Sequence, residues 1–137
     1  MAVWIQITAG SDKPIYAQIV AQVSEAIAKG HLSAGDKLPA VRKLASELVI
    51  NPNTVARAYS VLEQVALVTT KTGSGTFVRD PKLRNVDAVD INLLSERMDT
   101  FITRGLNLGL KKRDLIAMFE ERLNKFVKKQ ESGKRKK

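Results

Sequence analysis

The chain of 137 residues has no cysteine, a single histidine and a single tryptophan, and only 5% of it is aromatic. Without cysteine, disulfides and thiolate metal sites are excluded, in keeping with a reducing compartment. The lone His31 follows a helix-ending glycine, a place that suits a surface histidine, and no nucleophile and carboxylate accompany it in a catalytic pattern. No apolar run approaches the roughly 20 residues of a membrane-spanning helix. The first residues, MAVWIQITAG, lack the basic start of a signal peptide, so a cytoplasmic location is expected. Neither enzyme activity, cofactor nor metal is expected.

Acidic residues are outnumbered, 14 against 23 basic ones, for a net charge of +9. Such a balance suggests a polyanionic partner, but its distribution matters more than its size. Most of it lies in Lys125, Lys128, Lys129, Lys134, Arg135, Lys136 and Lys137, opposed there only by Glu131. Basicity alone therefore says little about what the folded body binds.

The most informative stretch is Ile50 to Leu67, INPNTVARAYSVLEQVAL. Asn51 is a strong N-cap, and Pro52 follows at the first helical position, where its missing N–H costs nothing. Ile50 and Val55 are spaced as a hydrophobic staple. Val55, Ala58, Tyr59 and Leu62 recur at helical spacing as a buried stripe, leaving Asn53, Thr54, Ala56, Arg57, Ser60 and Gln64 outside. That short polar face suits a DNA major groove, and equally a solvated face on an ordinary three-helix domain. The neighbouring segments decide between them.

Upstream, Val3, Ile5 and Ile7 alternate with Trp4 and Gln6, as in a short extended segment laid against the domain. Ser11 to Pro14 offers a cap and a first-turn proline for a helix carrying Ile15, Tyr16, Ile19, Val20, Val23 and Ile27, ended by Gly30. Leu32 and Leu38 anchor a connector around a Gly35-Asp36 turn. A helix from Ala40 to about Leu48 then buries Val41, Leu44, Ala45 and Leu48. Only a few residues separate it from Asn51, which is helix-turn-helix spacing. Arg42, at its start, is placed either to reach a phosphate or base edge or to sit in solvent. Downstream, Val68–Lys71 and Thr76–Arg79 flank the tip Thr72-Gly73-Ser74-Gly75 and read as a β-hairpin. No Gly-Lys-Ser/Thr follows the glycines, so a nucleotide-cradling loop is not expected. A hairpin directly after such a helix is a wing.

The succession PIYAQIVAQVSEAI, GHLSAGDKLPAVRKLA, NTVARAYSVL and TGSGTFV resembles the winged helix-turn-helix of GntR-type transcription regulators, over about residues 11 to 79. The resemblance implies a dimeric repressor that contacts DNA through Arg42, Asn51, Asn53, Thr54, Thr72 and Gly73. The adjoining cations Lys43 and Lys71 complete the candidate set. Some relatives carry two further arginines in the recognition helix. Pro52 and Ala56 stand there in this chain, which leaves Arg57 as the substitute.

Beyond Arg79, DPKLRNVDAVD reads as a linker. Leu93, Leu94, Met98, Phe101, Ile102 and Leu106 form one helical stripe, Gly109 breaks it, and Leu115, Ile116, Phe119, Leu123, Phe126 and Val127 form another. Two amphipathic helices cannot bury both stripes as an isolated hairpin. Pairing with a second copy through Leu94, Met98, Phe101, Ile102, Phe119 and Leu123 is expected; docking back on the N-terminal domain is the alternative. So short a helical module resembles the YtrA subfamily of these regulators, whose members often control genes for ABC-type transporters.

The expected fold is α+β and mostly α: a winged helix-turn-helix over 1–79, a linker over 80–90, a helix pair over 91–127, and a basic, disordered tail over 128–137. The expected partners are double-stranded DNA with a pseudo-palindromic operator and a second copy of the chain. Two helices leave little room for an enclosed pocket, so a small effector is expected either at the dimer interface or not at all, and its identity is unknown. A rival reading is a winged-helix adaptor for protein assembly without sequence-specific DNA binding.

Overall fold

A computed structural model describes residues 4–80 and 88–135. Five helices and one two-stranded sheet appear there in the order α1 (Ile15–Ala28), α2 (Val41–Leu48), α3 (Pro52–Gln64), β1 (Val68–Lys71), β2 (Gly75–Val78), α4 (Ala88–Asn107) and α5 (Lys112–Arg135). The chain divides into two compact units, Met1–Arg84 and Asn85–Lys137. Most of the expected linker, residues 81–87, lies outside the described residues, as do Val3, Lys136 and Lys137.

The first unit is built on the apolar stripes of α1 to α3. Ile19, Val23, Leu44, Val55, Leu62 and Val68 are fully buried and form one core with Ile5, Leu38, Ala45, Ala58, Tyr59 and Val78. Tyr59 reaches past this core, and its hydroxyl donates to the Pro39 carbonyl oxygen at 2.7 Å. The contact ties α3 to the residue just before the N-cap of α2. Burial raises the Tyr59 hydroxyl above its ordinary pKa, because the phenolate would lose its water there.

The N-terminal segment is held by side-chain amides rather than by a strand. Gln22 accepts from the Gln6 N–H at 2.9 Å and donates to its carbonyl at 2.7 Å. Gln18, one turn earlier on the same face, accepts from the Thr8 N–H at 2.8 Å and donates to the Thr8 carbonyl at 3.2 Å. The two amides imitate a neighbouring strand and seat Ile5 in the core. Gln18 also donates to the Lys13 carbonyl at 2.9 Å. Here the structure corrects the expected cap: α1 starts after Pro14 with no side-chain cap, and Ser11 accepts from the Lys13 N–H before the helix begins.

Four helix ends repeat one motif, in which a left-handed residue is followed by an N–H that reaches back five residues. His31 N–H donates to Ala26 O, Ile50 to Ala45 O, Leu67 to Leu62 O and Leu110 to Gly105 O, at 2.8 to 3.1 Å. The left-handed residue is Gly30 (φ +84°) after α1 and Gly109 (φ +90°) after α4, the residue type this Schellman arrangement favours. After α2 it is Val49 (φ +56°), and after α3 it is Ala66 (φ +62°). A β-branched residue in that region is strained by about 1–2 kcal/mol.

In the second unit, α4 and α5 form a helical hairpin around Gly105. A Cβ on Gly105 would overlap the side chain of buried Leu115, so glycine sets how closely the helices approach. Asp114 accepts from the Lys111 N–H at 2.8 Å and closes the start of α5. The basic segment expected to be disordered from Lys128 is helical to Arg135. No proline interrupts it, and cations at a helix C-terminus are favoured by the helix dipole.

Candidate nucleic-acid interface

The candidate surface begins with the cap of α3. Asn51 has extended backbone, and its Oδ1 accepts from the Asn53 N–H at 2.8 Å, so this side chain is committed to starting the helix. Proline at the first helical position removes a donor that would otherwise lack a partner. Val55, Ala58, Tyr59 and Leu62 are the buried stripe, as the spacing predicts. Asn53 is left exposed and Thr54 half-buried, both in the first turn.

Arg42 and Lys43 stand exposed in the first turn of α2, behind Ala40 as its cap residue. Among the described residues no ion pair engages Arg42, Lys43 or Lys71. Arg57 differs from the free cation that the sequence suggests. Its guanidinium lies 3.9 Å from the centroid of the Tyr16 ring, stacked on the start of α1. The stack holds the side chain beside the middle of α3, and a cation over a ring keeps its in-plane donors.

The wing is β1 and β2 paired antiparallel, with Val68 opposite Val78 and Lys71 opposite Gly75. Thr72 and Gly73 are the central residues of its turn, closed by the Ser74 N–H donating to Lys71 O at 2.9 Å. Gly73 has φ +81°, the value required at the third residue of a type II turn and open chiefly to glycine. The connector adds an isolated β-bridge beside β2 that sequence periodicity does not reveal. Lys37 bridges Phe77 antiparallel to β2. The Leu38 N–H donates to Thr76 O, and the Val78 N–H to Asp36 O, both at 2.8 Å. At the far end, Glu63 accepts from the Thr70 N–H at 3.3 Å and joins α3 to β1.

In the second unit Leu94, Met98, Phe101, Ile102, Phe119 and Leu123 line an open groove of about 930 Å³ between α4 and α5. Each of these side chains is 39% to 58% exposed. The groove is open along one side. Among the described residues there is no group of three or more metal-ligating side chains, and no helix is long and apolar enough to cross a membrane.

A compact helix-turn-helix followed by a β-hairpin wing, with exposed polar groups at the start of its second helix, defines a winged-helix DNA-binding protein. Residues 15–78 match the family model described as bacterial regulatory proteins, gntR family. The chain is 39% identical over 106 residues to the uncharacterized HTH-type transcriptional regulator YhcF of Bacillus subtilis, covering 77% of this chain and 87% of that protein. It is 34% identical over 117 residues to the HTH-type transcriptional repressor YtrA of the same organism, covering 85% and 90%. The solved structure of YtrA from Sulfolobus acidocaldarius, a GntR-family transcription factor, superposes with a TM-score of 0.59 at 35% identity, covering 75% of this chain and 97% of that one. The chain belongs to the GntR family of DNA-binding transcriptional regulators and resembles its YtrA-like members. Its relatives are regulators rather than enzymes.

Proposed function

We propose that the chain is a dimeric, sequence-specific repressor that works in the cytoplasm. In this reading Asn53 and Thr54 address base edges in the major groove. Arg42 and Lys43 hold the flanking backbone, Arg57 reaches a phosphate from its stack on Tyr16, and Lys71, Thr72 and Gly73 bring the wing to the minor groove or backbone. Asn51 acts through the helix it caps. The carrying observation is the start of α3, where the cap is satisfied internally and Asn53 is left exposed with Thr54 half-buried beside it. Base recognition needs such unpaired donors and acceptors on a rigid element.

The groove between α4 and α5 takes the same apolar surface of a second copy, because stripes this exposed would otherwise stay in water. Two-fold pairing presents two copies of α3 and hence calls for a pseudo-palindromic operator, with half-sites about one helical turn apart or a small multiple. The similarity to a protein named as the repressor YtrA supports repression, and transporter genes are the targets that this subfamily suggests. Selecting duplexes from a random pool and measuring the mass of the complex tests all of this together. Two chains on an inverted repeat is the expected result. One chain on a single half-site would refute the dimer.

A further inference from the structure

The isolated bridge beside β2 brings a lysine to the wing that the helix-turn-helix pattern does not point to. Lys37 lies opposite Phe77, and Phe77 lies opposite Thr69, so these three side chains form one row across the sheet. Gly75 and Lys71 form the next row two residues along, and therefore on the same face. Gly75 offers no side chain to that face. A Cβ built on it would lie 2.7 Å from Lys37 Cε and 3.5 Å from its Nζ, so the lysine stem runs across bare backbone toward the tip of the hairpin. Lys71 Nζ lies 5.3 Å from the centroid of the Phe77 ring on this face. Among the described residues neither ammonium has a carboxylate partner.

We propose that Lys37 and Lys71 form a two-lysine clamp for duplex DNA backbone phosphate, the Lys37 stem lying across Gly75, whose φ of +126° favours glycine. Two like charges held on one small face, with no acid between them, repel each other until an anion is shared. The unit that carries them binds DNA, so the anion that arrives beside the wing is a phosphate diester. The clamp positions and does not specify, because phosphates carry no sequence information. It rests on the DNA-binding reading of this wing and adds a contact from the α1–α2 connector.

The test is the salt dependence of binding by the full chain, measured on a selected operator duplex and on a random duplex. Each phosphate contact contributes about 0.9 to the slope of log K against log salt. Lys37→Gln should lower that slope by about 0.9 for each chain bound, equally on both duplexes, with the ratio of the two affinities unchanged. Lys37→Arg should restore the slope. A merely structural lysine would alter the melting temperature and leave the slope alone. An unchanged slope in Lys37→Gln, with wild type binding normally, would overturn the clamp and leave the recognition helix untouched. Wild-type binding without any salt dependence would overturn both.

Discussion

Removing one oxygen tests how α2 and α3 are locked together. Tyr59→Phe deletes the hydroxyl that donates to the Pro39 carbonyl at 2.7 Å, in a residue only 6% exposed. The ring and its packing stay. The loss is the hydrogen bond, about 1 kcal/mol net, with up to about 3 kcal/mol if the carbonyl finds no water. For a domain of this size each kcal/mol moves the melting temperature by roughly 4–8 °C, so the variant should melt several degrees lower. A pH signature separates this account from a general packing defect. Burial raises the hydroxyl pKa in the folded state above the ordinary value of about 10. The folded form therefore holds the proton more tightly than the unfolded chain does. That contribution is complete below about pH 10 and is lost as pH rises toward the raised folded value. Urea unfolding of both proteins at pH 8 and near pH 10.5 should show wild type losing its advantage at the higher pH while Tyr59→Phe is flatter. Equal stability at pH 8, or parallel pH dependence, would refute the role given to this hydroxyl.

Other substitutions probe separate features. Val49→Gly relieves the strained left-handed turn, offset by the entropy of glycine. The variant should match or exceed wild type by up to about 1 kcal/mol in urea unfolding. Gly105→Val places a branched side chain against Leu115, so it should push α4 from α5 and lower the helical content and the sedimentation mass together. Truncation after Val127 removes the last basic residues of α5 and should flatten the salt dependence on any duplex while the preference for operator survives; an unchanged slope would make these residues a solubility device.

The sequence made the helices legible because their punctuation is local. Asn51 and Pro52 mark the start of α3, and Gly30 and Gly109 mark the ends of α1 and α4. The same helix ending at Val49 and Ala66 escaped notice, since the residue type gives no hint of positive φ. Pairings across long separations were also hidden. Nothing in the spacing announces that Gln18 and Gln22 would serve as strand mimics for Thr8 and Gln6. Nor does it announce that Arg57 would stack on Tyr16 or that Lys37 would join the wing. The end of α5 was misplaced for a different reason: charge density suggested a solvated coil, whereas the backbone stays helical through Arg135.

The claim on which the account turns is that the first turn of α3 reads bases. Affinities of wild type and Asn53→Ala for a selected operator and for random duplex, at one salt concentration, test it directly. Loss of a base contact should weaken operator binding by about 1–3 kcal/mol, with random binding nearly unchanged, so the gap between the two duplexes narrows. A gap equal to that of wild type would contradict the claim and place sequence recognition on another surface.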